Sequence, residues 1–338
     1  MSVVFAVAES MTLVGAVPAE QAASAGQMLL WVAVPYAALA IMLAGFCYRV
    51  VKWAWSPVPF RIPTTCGQQK SLPWIRAASV DNPSTARGAL VRMGLEILLF
   101  RSLFRNSRAE LHDKRYLFGE SKLLWLGALA FHWSLLWILV RHLRFFIQPV
   151  PAFVSVIASL DGFFQVGTPE LYITDVFVVC AGLYLLLRRW SDPLVRYVSQ
   201  LADYFALLLL LCIAGSGILM RYYARVDLVA VKRLALGLAT FHPIVPAGLS
   251  VVFLIHLVLV CILAVYLPFG KLMHMGGAFL SPTRNLANNS RIKRHINPWN
   301  YPVKTHTYAE WEEEFRDKIK AAGIPLNEAQ SDGTTHTN

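Results

Sequence analysis

The run Leu123–Phe146 limits what this chain can become more than any other stretch. It is apolar enough to cross a membrane, and it holds two histidines ten residues apart, His132 and His142. About 20 consecutive apolar residues span a hydrocarbon core of roughly 30 Å. Inside that core a titratable ring is costly unless it has a partner or a role. A second pair, His256 and His274, lies eighteen residues apart in another apolar run.

Further runs of this kind organise the chain. Met28–Tyr48 carries no charge. Leu171–Leu187 has Asp175 near its start. Tyr197–Met220 has Asp203 near its start and Gly215 and Gly217 near its end, where small residues let helices or a cofactor approach closely. The last run begins near Pro246 and reaches His274, interrupted or bent by Pro268-Phe269-Gly270. The expectation is an all-α, polytopic membrane protein with a five-helix transmembrane bundle. With 56% hydrophobic and 15% charged residues, the composition excludes an ordinary soluble domain.

A net charge of +11 would suggest nucleic acid on a soluble protein. Here the cations lie between the apolar runs, so we read them as topology and expect no nucleic acid. The stretch Lys52–Lys122 holds twelve Lys and Arg, Gln148–Tyr172 none, and the tail from Lys271 nine. The positive-inside rule then puts the N-terminus outside and the C-terminus in the cytoplasm of a cytoplasmic (inner) membrane. Arg221, Arg225, Lys232 and Arg233 are the exception, falling on the outer side. The expected organisation is an outer segment 1–27 and a first span 28–50. A cytoplasmic loop 51–121, a four-helix region 122–276 and a cytoplasmic tail 277–338 follow.

Within the loop, Asn82 and Ser84 offer cap chemistry around Pro83, and Leu90, Met93, Ile97, Phe100 and Phe104 recur at helical spacing. This predicts an amphipathic helix over 83–106, lying on the membrane or under a partner. The first 26 residues have Glu9 and Glu20 but no Lys or Arg, so no cleaved signal peptide is expected. The five cysteines, Cys47, Cys66, Cys180, Cys212 and Cys261, form no C-x-x-C, which argues against iron–sulfur ligation and c-type haem. Cys66, in a polar loop, has no role assigned.

Two imidazoles on facing helices are good axial ligands for haem iron. The second and fifth spans run antiparallel, so the early histidine of one meets the late histidine of the other. That predicts His132 with His274 towards the cytoplasm and His142 with His256 towards the outside, each pair holding one haem b. The spacings differ, since ten residues of helix rise about 15 Å and eighteen about 27 Å. Eighteen residues make about five turns, which would point His256 and His274 to one side. A satisfied core histidine or a proton relay is the competing reading of each ring, and a transporter or proton channel is the rival for the whole chain. His242 is a weaker competing ligand; His112, His295, His306 and His336 fall in polar regions.

The phrase Phe131-His132 to His142, followed by Ile255-His256 to Leu267-Pro-Phe-Gly-Lys-Leu-Met-His274, resembles the di-haem cytochrome b subunit of membrane-bound respiratory nitrate reductase. That resemblance covers about residues 28–276 and implies five spans, an outer N-terminus and the same histidine pairing. The loop Trp53–Ser121 is longer than that family needs. Ser56-Pro-Val-Pro-Phe-Arg-Ile-Pro-Thr-Thr-Cys-Gly-Gln and the tail Asn297–Pro325 are similar to a second family, the DsrM membrane cytochromes b of the DsrMKJOP complexes of sulfur metabolism.

This second resemblance implies a quinone site outside, with menaquinone or ubiquinone as substrate. It implies a DsrK-like iron–sulfur subunit inside, and DsrJ-, DsrO- and DsrP-like neighbours. Such a chain is a quinone/quinol oxidoreductase subunit that acts only within a complex, surrounded by membrane lipid. Near His142 and His256, the candidates for handling quinone and protons are Arg141, Asp175 and Arg221. Asp175 paired simply with Arg141 or Arg144 is the plain alternative. Arg144, and Arg141 too, are candidates for haem propionates. In the tail, Glu310, Glu312, Glu313 and Glu314 precede Lys318 and Lys320, an order that suits a helix dipole. With Trp299, Tyr301 and Trp311 nearby, that helix is expected to dock on a cytoplasmic partner rather than stand solvated.

Overall fold

The structure, a computed structural model, describes residues 24–56, 67–105, 107–112, 115–167, 169–281, 285–293, 302 and 304–327. The segment before Ser24, Cys66, His295, His336, Trp299 and Tyr301 lie outside the described residues, as does most of the Pro-rich phrase after Ser56. The chain divides into two compact units, Met1–Lys293 and Arg294–Asn338.

The first unit is a helical bundle. Helix α1 runs over Ala25–Ala54. It opens on a capping box, in which Ser24 Oγ accepts from Gln27 N and Gln27 Oε1 accepts from Ser24 N. Pro35 has no N–H to give the helix, and a π-turn at Leu29–Ala33 accommodates it. Helix α2, Ala86–Leu99, is the amphipathic segment. Its cap is Thr85, whose Oγ1 accepts from Gly88 N at 3.2 Å, rather than Asn82 or Ser84. Asn82 is buried instead, donating to Gly67 O at 3.1 Å and accepting from Asn288 Nδ2 at 2.5 Å. Phe100, in the left-handed region at φ 48°, ends α2 before the short α3, Arg101–Phe104.

A hairpin follows that helical periodicity did not suggest. Strands β1 (Ser107–His112) and β2 (Arg115–Glu120) pair antiparallel, with Ser107 opposite Glu120. Apart from this hairpin, the described residues are helical and irregular.

Helix α4, Lys122–Phe146, carries His132 and His142. Helix α5, Ala152–Asp161, lies in the cation-free stretch, where no helix was expected. Helix α6, Ile173–Ser191, is the expected third span, with Asp175 in its first turn and Arg188 and Arg189 in its last. After the short α7, Pro193–Val198, helix α8 covers Leu201–Ala224 and ends in a π-turn, Leu219–Ala224, that bears Arg221 and Tyr222. Helix α9, Leu228–Ala239, was also unexpected, and Asp227 caps it. Helix α10, Val251–Tyr266, carries His256. Helix α11, His274–Leu280, begins at the last histidine. Four of these segments are long and apolar enough to cross a membrane: Ala25–Ala54, Lys122–Phe146, Leu201–Ala224 and Val251–Phe269. Helix α6 falls outside that set because its ends carry three charges.

The last run is interrupted at Pro268-Phe269-Gly270, as expected, and does not continue as one helix to His274. Pro268 cannot donate to the helical ladder, and α10 gives way to a 3₁₀ turn at Leu267–Phe269. Gly270 is extended, and a second turn, Lys271–Met273, delivers His274. The five-turn argument for His256 and His274 therefore fails.

Helix α4 packs on α6, α6 on α8, α8 on α10, and α10 on α1. Gly182 lets the first three approach, since a Cβ there would lie 2.7 Å from Leu211 and 3.2 Å from Phe131. Helices α4 and α10 are not a closely packed pair among the described residues. A seam thus runs between α4, which carries His132 and His142, and α10, which carries His256, with His274 beyond the break that ends α10.

The second unit holds helix α12, Tyr308–Ala321, with a Thr307–Glu310 capping box. Tyr308, Trp311 and Phe315 form a ladder with ring centroids 5.7 and 5.8 Å apart, and Lys318 Nζ stands 5.3 Å over Phe315. Arg316 pairs with Glu313 at 2.7 Å.

Candidate functional site

At one end of the open seam, the rings of His132 and His274 face each other with centroids 6.0 Å apart and planes at 77°. A metal–imidazole bond is about 2.0 Å, and a ring nitrogen lies about 1 Å from its centroid, so two imidazoles across one metal place their centroids about 6 Å apart. At the other end, His142 lies within electrostatic range of His256.

Hydrogen bonds fix the tautomer of each ring. His132 Nδ1 lies 2.8 Å from Ala128 O, His142 Nδ1 2.7 Å from Ile138 O, and His274 Nδ1 2.8 Å from Lys271 O. A carbonyl only accepts, so Nδ1 carries the proton in all three. His256 Nδ1 lies 2.9 Å from Ser216 Oγ. That hydroxyl already donates to Ile213 O at 2.9 Å, so it accepts from His256. All four rings therefore present a bare Nε2, the form that ligates a metal, with the second nitrogen held as ligating histidines usually are.

The donor set also says which metal species would fit. Among the described residues, no group of three or more His, Cys, Asp or Glu could hold a bare ion. Two histidines per site leave the remaining positions to a macrocycle, which is what haem supplies. Gly217 sits beside His256, where a Cβ would be 3.5 Å from His256 Cε1, and a Cβ at Gly215 would meet no atom within 4 Å. His242, the competing ligand, stands apart with its Nδ1 bonded to Thr240 O at 2.8 Å.

The two ends differ in what surrounds the rings. Phe100 packs edge-on against His132, with centroids 5.0 Å apart. Its segment is tied to α4 by two indoles: Trp125 Nε1 donates to Leu99 O at 2.7 Å, and Trp133 Nε1 to Leu98 O at 3.0 Å. The amphipathic helix thus roofs the first pair.

Beside His142 lies a buried charge network. Arg141 pairs with Asp161 at 3.0 Å and with Asp175 at 3.1 Å, and donates to Thr174 Oγ1 at 3.0 Å. Asp161, 1% exposed, also accepts from Thr174 N and Oγ1 at 2.8 and 2.6 Å. Tyr222 OH donates to Asp175 at 2.9 Å. The guanidiniums of Arg141 and Arg221 each lie 3.8 Å from the centre of the Tyr172 ring, one on each face. Arg221 also donates to Glu170 O at 3.0 Å, while its buried Nε has no hydrogen-bond partner.

The structure thus gathers Arg141, Asp175 and Arg221 into one cluster, and Asp175 does pair with Arg141. Asp161, Tyr172, Thr174 and Tyr222 complete it; none stood out in the sequence. Arg144, near His142, makes no hydrogen bond or ion pair among the described residues. A separate apolar core holds the bundle, with Trp31 and Phe253 stacked at 5.6 Å and Val32, Val231 and Leu234 packed around them.

Similarity to known proteins agrees with this architecture. Residues 95–294 match the family described as nitrate reductase gamma subunit. The chain is 45% identical over 275 residues to the Hdr-like menaquinol oxidoreductase cytochrome b-like subunit of Archaeoglobus fulgidus, covering 79% of this chain and 82% of that relative. It is 43% identical over 281 residues to the subunit of the same description in Archaeoglobus profundus, covering 80% and 83%. The family match takes in α4 through α11 with all four histidines, and the chain belongs to the nitrate reductase gamma subunit family.

Proposed function

We propose that this chain is a di-haem cytochrome b that carries electrons between membrane quinone and a cytoplasmic iron–sulfur subunit, as part of a DsrMKJOP-type complex of sulfur metabolism. The observation that carries the reading is the His132–His274 pair, two rings 6.0 Å apart on opposed helices, each with its Nδ1 proton committed. His132 and His274 hold one haem b, and His142 and His256 the other. When bound, each haem supplies a one-electron carrier. The partner is DsrK-like, with DsrJ-, DsrO- and DsrP-like subunits alongside. The relatives are described as menaquinol oxidoreductase subunits, which favours menaquinone over ubiquinone. The cation-rich loops support an outer N-terminus and a cytoplasmic tail, with the His142 end outside.

The residues divide the work. Quinone chemistry couples two electrons to two protons, so its site needs groups that bind and release protons. Asp175 is the carboxylate placed to accept a proton from quinol, and Tyr222, which donates to it at 2.9 Å, orients it. Arg141, held from both sides by Asp161 and Asp175, keeps the carboxylates in register and compensates their charge. Arg221 contributes a cation beside the same ring, and its unbonded Nε is free to meet a quinone oxygen. Arg144 is the uncommitted cation for a propionate.

The purified protein is expected to show b-type bands at two haems per chain, reducible by a menaquinol analogue. A colourless, haem-free preparation would sink the proposal and favour a channel or transporter. Co-purification of an iron–sulfur subunit from native membranes checks the partner; its absence from an intact complex would contradict that part.

A further inference from the structure

The break after α10 raises a question of support. His256 rides on a continuous helix, but His274 is delivered by two 3₁₀ turns and an extended glycine. Such a segment has few internal hydrogen bonds and takes its position from what holds it. Gly270 is required by close approach, because a Cβ there would lie 2.7 Å from the Tyr266 ring.

Two polar anchors grip the break. Arg49 Nε donates to Pro268 O at 2.9 Å. Lys271 Nζ reaches both carboxylate oxygens of Asp203, at 2.7 and 2.9 Å. Asp203 is itself fixed in the first turn of α8, where Gln200 N donates to its Oδ2 at 3.0 Å and Arg189 lies 3.7 Å away. Its side chain is 9% exposed. The carbonyl of Lys271 accepts the Nδ1 proton of His274 at 2.8 Å. One residue therefore joins a rigid helix start to the ring that faces His132.

We propose that Asp203 is a positioning residue that sets the orientation and donor strength of His274 through Lys271. The inference rests on His274 being a haem ligand. A bond from Nδ1–H to a carbonyl raises the basicity of the ligating Nε2, and second-shell contacts of this kind tune both the metal and its potential. Loss of the anchor lets the Lys271 carbonyl drift, which weakens the Nε2 donor. A weaker donor stabilises the oxidised iron less, and the midpoint of that haem rises.

The test uses the full-length protein in native membranes and reads haem content, optical redox midpoints and the low-spin resonance signals of each haem. Asp203→Asn is expected to raise the midpoint and alter the signal of the haem that His274→Ala removes. The other haem should keep both, and Asp203→Glu should restore the native values. Adding Lys271→Gln to Asp203→Asn should produce no further shift, because the two act as one unit. If Asp203→Asn fails to accumulate, Lys271→Gln alone carries the same test. Unchanged midpoints, or an equal shift of both haems, would overturn the positioning role. If His274→Ala leaves two haems in place, the ligand assignment falls, and this inference with it.

Discussion

The two histidine pairs sit in unlike surroundings, and the contrast separates two kinds of work. Around His132 and His274 the neighbours are Phe100, two indoles and a backbone break pinned by one ion pair. Around His142 lies a network of two arginines, two aspartates and two tyrosines, in which Arg141, Asp161 and Tyr172 are buried. Passing an electron needs ligands and a defined distance. Passing an electron with a proton needs, in addition, groups that change protonation. Buried ion pairs are expensive, and the most deeply buried one, Arg141–Asp161, lies at the His142 end. The other end is the one beside the amphipathic segment, on the side expected to face the partner.

The comparison can be broken most forcefully at Asp161. Asp161→Asn leaves Arg141 with only Asp175, and removing one member of a buried ion pair costs about 3–5 kcal/mol. Thermal unfolding in detergent should show a clear loss, with the His142-end haem released first. Equal stability would mean that the network is not held as described. Next comes Asp175→Asn. A positioned acid–base group contributes about 100-fold or more to turnover, so quinol-dependent reduction should fall by at least that factor while both haems remain. A variant with native turnover moves the proton chemistry elsewhere.

The sequence made some of this readable and hid the rest for physical reasons. The long apolar segments were legible because apolar length is a local property. Pro268 and Gly270 announced an interruption, and a periodic count across it cannot carry the relative direction of His256 and His274. Helix α9 had a usable signal in Asp227, whose carboxylate accepts from Val229 N and Ala230 N. Reading that loop only for its cations concealed it. Asp161 offered no such signal: its importance comes from Arg141, twenty positions earlier, and Thr174, thirteen later, meeting it in space. The hairpin Ser107–Glu120 was missed because the arginines around it were read as the polar edge of a helix.

Smaller effects sharpen the other end. Trp133→Phe removes the indole bond to Leu98 O, worth about 0.5–1.5 kcal/mol, and should raise hydrogen exchange along α2 without altering the His142 side. Equal exchange would detach the roof from α4. The smallest effect expected is at Asp81, which bonds to Arg101 and Arg105. Burial pushes its carboxyl up, but the two guanidiniums more than offset this and hold it below the ordinary 3.8. A lowered value in the folded state means the contact stabilises above the ordinary value and is lost as the pH falls through the lowered one. Exposed pairs of this kind are worth about 0–1 kcal/mol. Limited proteolysis near residues 77–105 should increase only in that acid range, and Asp81→Asn should flatten the dependence.

The central claim is that four histidines form two cross-helix pairs. Its most direct measurement is an optical redox titration of the four single His→Ala variants in membranes. His132→Ala and His274→Ala are predicted to lose the same haem, and His142→Ala and His256→Ala the other, each variant keeping one. If the two members of a pair remove different haems, or if any of the four variants keeps both, the account is contradicted.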